Sequence, residues 1–321
     1  LQRLIEGADV LLFNLRPASM ARLGLSYDDV ARLNPRIVYC GCYGFGERGR
    51  YAGKPALDDL IQGSVALPSL VGRVTGEPRY LPTNLCDRTT GLTAVYSVIA
   101  ALYAREKTGR GQAIEVPMFE TMTQFVLSDH MFGKTFDPPL ADAGYVRLLA
   151  KDRRPLRTKD GHICVLIYID RHWKSFCEML GRRDMLEDPR FLRMSDRTRN
   201  VDALYAFVAE VIATRTTAEW MEALARADIP VAPMHTPDSL MDDPHLADVG
   251  MFEWIEHPSE GRIRQMNVPG SWSDTPPAVR RHAPLLGENT REVLAEAGCA
   301  AEEIERLLAA GAAREAVAPT R

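Results

Sequence analysis

From Leu92 to Tyr103 the chain runs through Leu-Thr-Ala-Val-Tyr-Ser-Val-Ile-Ala-Ala-Leu-Tyr without a charged side chain. A helix apolar on every side is one that a protein buries, so this stretch must lie against other layers of the fold. Its beginning is polar, in Asn84-Leu85-Cys86-Asp87-Arg88-Thr89-Thr90-Gly91. A buried helix aims such a turn into the interior, where an ionised group needs a partner or a purpose. Two readings of Asp87 stand side by side. Aspartate is a favoured N-cap. It is also a carboxylate that the unpaired N–H groups and positive dipole end of a helix keep ionised at neutral pH, able to act as a nucleophile.

The residues before this helix alternate strand and helix signals. Ala8-Asp9-Val10-Leu11-Leu12-Phe13-Asn14 reads as a buried parallel strand whose polar carboxyl end faces a ligand crevice. Ser26 and Asp29 have the spacing of a capping box for a helix that Pro35 closes, and a second strand follows over Ile37–Tyr43. A third, Ala113–Pro117, comes after the tight turn Thr108-Gly109-Arg110-Gly111. This pattern predicts an α/β fold with a doubly wound parallel sheet. Residues 132–155 turn rich in Pro, Gly and Arg, as a linker does. Beyond it a strand over 163–168, helices at His172–Leu180, Val201–Thr214 and Thr217–Ala227, and a short strand at Ile229–Met234 predict a smaller α+β domain near 155–240. Trp220, Met221 and Leu224 sit at core spacing. The remainder reads as loops, ending in a helix over Glu302–Ala309 and a frayed tail.

Composition removes several functions. With 39 Lys and Arg against 43 Asp and Glu, the net charge of -4 does not suit a nucleic-acid binder, which needs a basic field. The basic stretch Arg147–Arg157 reads as a solvated linker. No apolar run reaches spanning length and the first residues lack a signal-peptide layout, so a cytoplasmic protein without a membrane partner is expected. The six cysteines include no C-x-x-C, and the seven histidines are scattered singly, so no metal site is expected. Cys86 ranks second to Asp87 as a nucleophile because no histidine base lies near it in sequence.

Gly44-Phe45-Gly46-Glu47-Arg48-Gly49 matches the dinucleotide fingerprint, but Arg50-Tyr51-Ala52-Gly53-Lys54-Pro55 follows where a helix should begin. It reads as a decoy, and no nicotinamide or flavin is expected. A G-x-S-x-G elbow is also missing. The chemistry falls to a carboxylate.

Taken together the ordered motifs resemble the class III CoA-transferases, the CaiB/BaiF family, of which formyl-CoA transferase is an example. They include Ala8–Pro17, Asn34–Tyr39, Gly44-Phe45-Gly46, Asp87–Gly91, Arg105–Gln112, Asp188-Pro189-Arg190-Phe191 and Ala283–Thr290. The resemblance implies a large Rossmann-like domain over 1–145 that binds CoA and a small domain over 155–240. It also implies that 241–321 returns as linker and C-terminal segment to the large domain, and that two chains form an interlocked-ring homodimer. Asp87 matches the family's nucleophile. Asn14, Leu15, Arg16, Arg22, Lys54 and Asp58 match positions that contact CoA, with the three cations suited to its phosphates. CoA is then substrate and carrier, passed from an acyl-CoA such as succinyl-CoA to a carboxylic acid through an aspartyl-CoA thioester.

Three departures shape the expectation. Relative to the family the chain is N-terminally incomplete, lacking the first βα unit with its active-site glutamine. No glycine-rich loop stands near Leu148–Pro155, which disfavours oxalate and formate. Leu57 stands where the racemases of the family carry a histidine base, which disfavours the alternative of an acyl-CoA racemase or epimerase. A CoA-binding protein without turnover is the remaining alternative.

Overall fold

The structure is a computed structural model that describes residues 1–167 and 169–316. The chain divides into two compact units, Leu1–Met234 and His235–Arg321.

The first unit opens with α1 (Gln2–Gly7), β1 (Val10–Phe13), α2 (Pro17–Arg22), α3 (Tyr27–Leu33) and β2 (Val38–Tyr43). Pro17 starts α2 because the first helical position needs no N–H donor. The expected capping box starts α3: Ser26 Oγ accepts from the Asp29 amide at 3.3 Å, and the Asp29 carboxylate accepts from the Ser26 amide at 3.3 Å. There follow α4 (Asp58–Ser64), α5 (Leu67–Thr75), α6 (Leu85–Thr108), β3 (Gln112–Pro117) and α7 (Met118–His130). The strands β1, β2 and β3 pair in that order, all parallel, with Val10 level with Val38 and Val38 level with Gln112. Val38 and Cys40 of the middle strand are wholly buried, and Cys40 packs with Ala94 of α6 and Val116 of β3. Gly41 leaves room for the rings beside β2, since a Cβ there would lie 2.7 Å from both the Phe13 and the Tyr43 ring and would force one to move.

Two features of this half differ from the sequence expectation. Between Pro55 and Asn84, where no element is expected from the sequence, lie α4 and α5, whose short lengths leave little periodicity to detect. The helix read as buried is exposed along one face: on α6, Leu92, Val95, Tyr96, Ile99 and Tyr103 are 56–68% exposed. Only Cys86, Thr90, Ala94, Ala101 and Arg105 of α6 are buried, because the three-stranded sheet, α4 and α7 pack against one side of it.

The rest of the first unit holds β4 (Leu156–Arg157), β5 (His162–Val165), α8 (Asp170–Met179), α9 (Asp184–Glu187), α10 (Met194–Arg199), α11 (Val201–Ile212), α12 (Thr217–Arg226) and β6 (Val231–Pro233). The three strands form an antiparallel sheet in the order β4-β5-β6. Tyr168, the last residue of the predicted strand, lies outside the described residues. A single core joins Phe176, Ile212, Trp220 and Leu224, all wholly buried, with Met221 packed at its edge. The buried indole N–H of Trp220 donates to the Ile212 carbonyl at 2.7 Å, so the ring brings no unsatisfied polar atom into that core.

The second unit contains α13 (Pro237–Leu240), α14 (Pro244–Asp248), β7 (Phe252–His257), β8 (Gly261–Met266), α15 (Thr290–Glu296) and α16 (Ala301–Ala309). The region read as loops carries an antiparallel hairpin, with Phe252 opposite Met266 and Gly261 at φ +74°. Phe-Glu-Trp-Ile-Glu-His places apolar side chains on both faces of β7, which blurs the two-residue period. The end of the predicted tail, 317–321, lies outside the described residues.

Candidate functional site

A cavity of about 1010 Å³ opens at the carboxyl ends of the parallel strands. Asn14 follows β1, Gly44 follows β2 and Met118 follows β3, and all three line it, the position at which open parallel sheets hold ligands. One stripe of α6 forms another wall: Asp87, Gly91, Ala94, Val95 and Val98 recur at the three- and four-residue spacing of one helix face. Asp87 is the third residue of α6, inside its first turn rather than ahead of it.

The charge environment of Asp87 runs against the dipole argument. Its carboxyl is held above the ordinary carboxylate range, first by burial and then by the carboxylate of Asp58. Desolvation and a like charge both disfavour the ionised form, so proton affinity and nucleophilicity rise together. The neighbouring thiol is driven the other way as a nucleophile. Cys86 is fully buried, and burial followed by the charges of Asp58, Asp87 and Asp59 pushes it up to about 12, which removes the thiolate at neutral pH.

Of the residues named from sequence, Asn14, Arg16, Lys54 and Asp87 share the cavity wall. Arg16 Nη1 donates to the Gly53 carbonyl at 3.3 Å, which ties the end of β1 to the loop that carries Lys54. Lys54 Nζ rests 4.1 Å from the centre of the Tyr51 ring. Both cations are exposed and face solvent as well as cavity. Leu15 is 47% exposed and Arg22 donates to Ser19 Oγ at 2.9 Å, and neither lines the cavity. Asp58 is buried behind the wall, where one carboxylate oxygen accepts the Asp87 amide at 2.9 Å and the other accepts Gln62 Nε2 at 2.7 Å. It touches the site through Asp87.

The glycine-rich turn at 44–49 is occupied by the protein itself. Its amides at Gly46 and Glu47 donate to the carboxylates of Glu120 and Glu115, each at 3.0 Å, and no helix begins before Asp58. Carboxylates so placed repel a pyrophosphate. Among the described residues no three His, Cys, Asp or Glu side chains are grouped to hold a metal ion, and no helix is long and apolar enough to cross a membrane.

With this geometry in hand, the chain matches the family described as CoA-transferase family III over residues 1–290. It belongs to that family. Acetyl-CoA:oxalate CoA-transferase of Acetobacter aceti is 32% identical over 232 residues, 72% of this chain and 60% of that relative's length. Succinyl-CoA:mesaconate CoA-transferase of Haloarcula marismortui is 27% identical over 304 residues, 92% of this chain and 75% of that protein. A crystal structure of a CaiB/BaiF family protein from Brucella suis has a TM-score of 0.73 at 26% identity, covering 92% of this chain and 77% of its own.

For this family III chain, sequence reasoning missed Gln62, Thr90 and the apolar wall. Gln62 is wholly buried, and its four-residue spacing from Asp58 on one helix was the signal available. Thr90 Oγ1 donates to the Cys86 carbonyl at 2.7 Å, so its hydroxyl serves the helix while its side chain lines the cavity. Leu57, also in the wall, is 73% exposed.

Proposed function

We propose that this chain moves CoA from an acyl-CoA to a carboxylic acid, with Asp87 as the nucleophile. A carboxylate of raised proton affinity on the wall of a large cavity that Arg16 and Lys54 also line is the observation that carries the reading. An Asp87 oxygen attacks the donor's thioester carbon, the C–S bond breaks, and CoA thiolate leaves a mixed anhydride. The thiolate then attacks the aspartyl carbon and the donor acid departs, which leaves an aspartyl-CoA thioester. The acceptor carboxylate repeats both steps in reverse order and restores the free side chain. The thioester's energy survives only where water is excluded, a role for the apolar wall of Val95, Val98 and Ile99 once its exposed members Val95 and Ile99 are covered by substrate or a second copy.

Asn14, Arg16 and Lys54 are assigned to the CoA moiety, with Arg16 and Lys54 toward its phosphates. The relative named for succinyl-CoA and mesaconate supports succinyl-CoA as a donor to test first. The exposed apolar face of α6 supports the homodimer, because a second copy would cover it. The separate core around Trp220 supports a small domain over 155–240 distinct from the CoA-binding 1–145. Six cysteines, none of them in a disulfide, suit a cytoplasmic protein. A racemase would need a second proton carrier at the cavity, and among the lining residues there is no histidine.

Incubation with succinyl-CoA alone is expected to leave a CoA adduct on the peptide containing Asp87, seen by mass spectrometry and released by hydroxylamine as a hydroxamate. An Asp87→Asn protein that retained normal transfer would overturn the reading.

A further inference from the structure

Behind the cavity lies a buried polar network that neither the motifs nor the chemistry above assigns. Gln62 of α4 is wholly buried, and its side-chain amide makes contacts in two directions. Nε2 donates to Asp58 Oδ1 at 2.7 Å and lies 3.3 Å from the Thr83 carbonyl and 3.4 Å from that of Leu81. Oε1 accepts the Leu81 amide at 2.9 Å. The segment so gripped, Leu81–Asn84, leads directly into α6. The remaining oxygen of Asp58 accepts the Asp87 amide at 2.9 Å.

That amide is one of the first four of a helix and has no partner within it. Asn84, at the N-cap, makes no side-chain capping bond. The cap is therefore supplied from another helix, by a carboxylate that Gln62 holds in place. We infer that Gln62 is the positioning residue of the nucleophile: through Asp58 and the Leu81–Thr83 carbonyls it sets where the first turn of α6 stands and hence where the Asp87 carboxylate points. The inference rests on Asp87 being the nucleophile.

The residue type is informative. A buried Asp58 needs a donor, and Arg or Lys would satisfy it more strongly, but either would cancel the negative charge that reaches Asp87. A neutral amide orients Asp58 and leaves its charge in place. Glutamine also offers donor and acceptor at once, which the Leu81 amide and the two carbonyls together require.

Two substitutions test this against succinyl-CoA, read as the rate of aspartyl-CoA formation in a single turnover. Gln62→Met keeps the length and removes every hydrogen bond. It is expected to lower that rate about 10- to 100-fold, the equivalent of one bond to a charged acceptor, with KM within about twofold. Gln62→Glu loses the donor when ionised and regains one when protonated. Its rate is expected to be low at pH 8 and to rise toward pH 6, a rise the unsubstituted protein does not show. A purely structural role would not produce that pH dependence. If either variant is unfolded, the unsubstituted protein still answers: the Asp87 amide is expected to resist hydrogen exchange, unlike an ordinary first-turn amide.

Rates equal to the unsubstituted protein in Gln62→Met, a loss confined to KM, no acid rise in Gln62→Glu, or fast exchange at Asp87 would each overturn the inference. Failure of the underlying reading looks different: Asp87→Asn would then stay active. If Asp87→Asn is inactive and the Gln62 variants are normal, the inference alone fails.

Discussion

Helices α6 and α12 come from opposite compositions and reach opposite fates. The middle of α6 has no charge, yet Tyr96, Ile99 and Tyr103 are at least 60% exposed. Helix α12 carries Glu219, Glu222 and Arg226, yet seats Trp220 and Leu224 with no exposure at all. An amphipathic stripe tells a helix which side to bury, and the charges opposite it hold that choice. A uniformly apolar helix carries no such instruction. Its burial depends on how many layers arrive, and in α6 the sheet, α4 and α7 leave one face uncovered.

The contrast can be broken or sharpened by substitution, beginning where the effect is largest. Asp87→Asn, in the first turn of α6, should lower CoA transfer more than about 1000-fold while leaving acyl-CoA affinity within about threefold, as calorimetric titration beside a transfer assay would show. Normal transfer would detach the site from this helix. Trp220→Ala in α12 should cost about 3–5 kcal/mol in denaturant unfolding, since it opens a sealed core. Ile99→Ala in α6 should cost under about 1 kcal/mol in a dilute, monomeric sample but weaken self-association, measured by sedimentation. Equal losses at the two positions would refute the comparison.

Smaller effects separate the cations. Arg16→Ala is expected to raise KM for acyl-CoA about 3- to 10-fold with kcat unchanged, whereas Arg22→Ala, bonded to Ser19 outside the cavity, should change KM less than about twofold. The reverse order would move the CoA phosphates to the other end of α2. The smallest effect concerns Asp87 itself. Its folded-state proton affinity is raised, so the fold gains stability as pH falls through the raised range and loses it as pH rises above. Asp87→Asn should therefore melt slightly higher than the unsubstituted protein at pH 7, with the gap closing toward pH 3. A lower melting temperature at pH 7 would show that the charge is compensated.

Much of this was legible in one dimension. The strands near Val10, Val38 and Gln112 follow from apolar runs bounded by turn residues, and the Ser26–Asp29 cap from its spacing. The glycine turn was separable from a nucleotide site because Pro55 forbids the helix such a site needs, and the structure adds Glu115 and Glu120 on its amides. Asp87 stood out because a polar turn preceded an apolar run. What did not show were interactions between residues far apart in sequence. Asp58 lies 29 positions from the amide it caps, and Gln62 lies 19 from the backbone it grips. Nothing in their local pattern requires either bond. The hairpin at 252–266 escaped because its first strand alternates poorly.

By itself the order of residues determined the α/β alternation, the carboxylate at the head of α6 and the absence of charge behind it, since each rests on short-range propensity and period. Tertiary structure alone decided which side of that helix is covered, the upward shift in the Asp87 proton affinity and the buried Gln62–Asp58 pair that anchors it. Burial and charge proximity are properties of distance in space, and the chain encodes them only once it has folded.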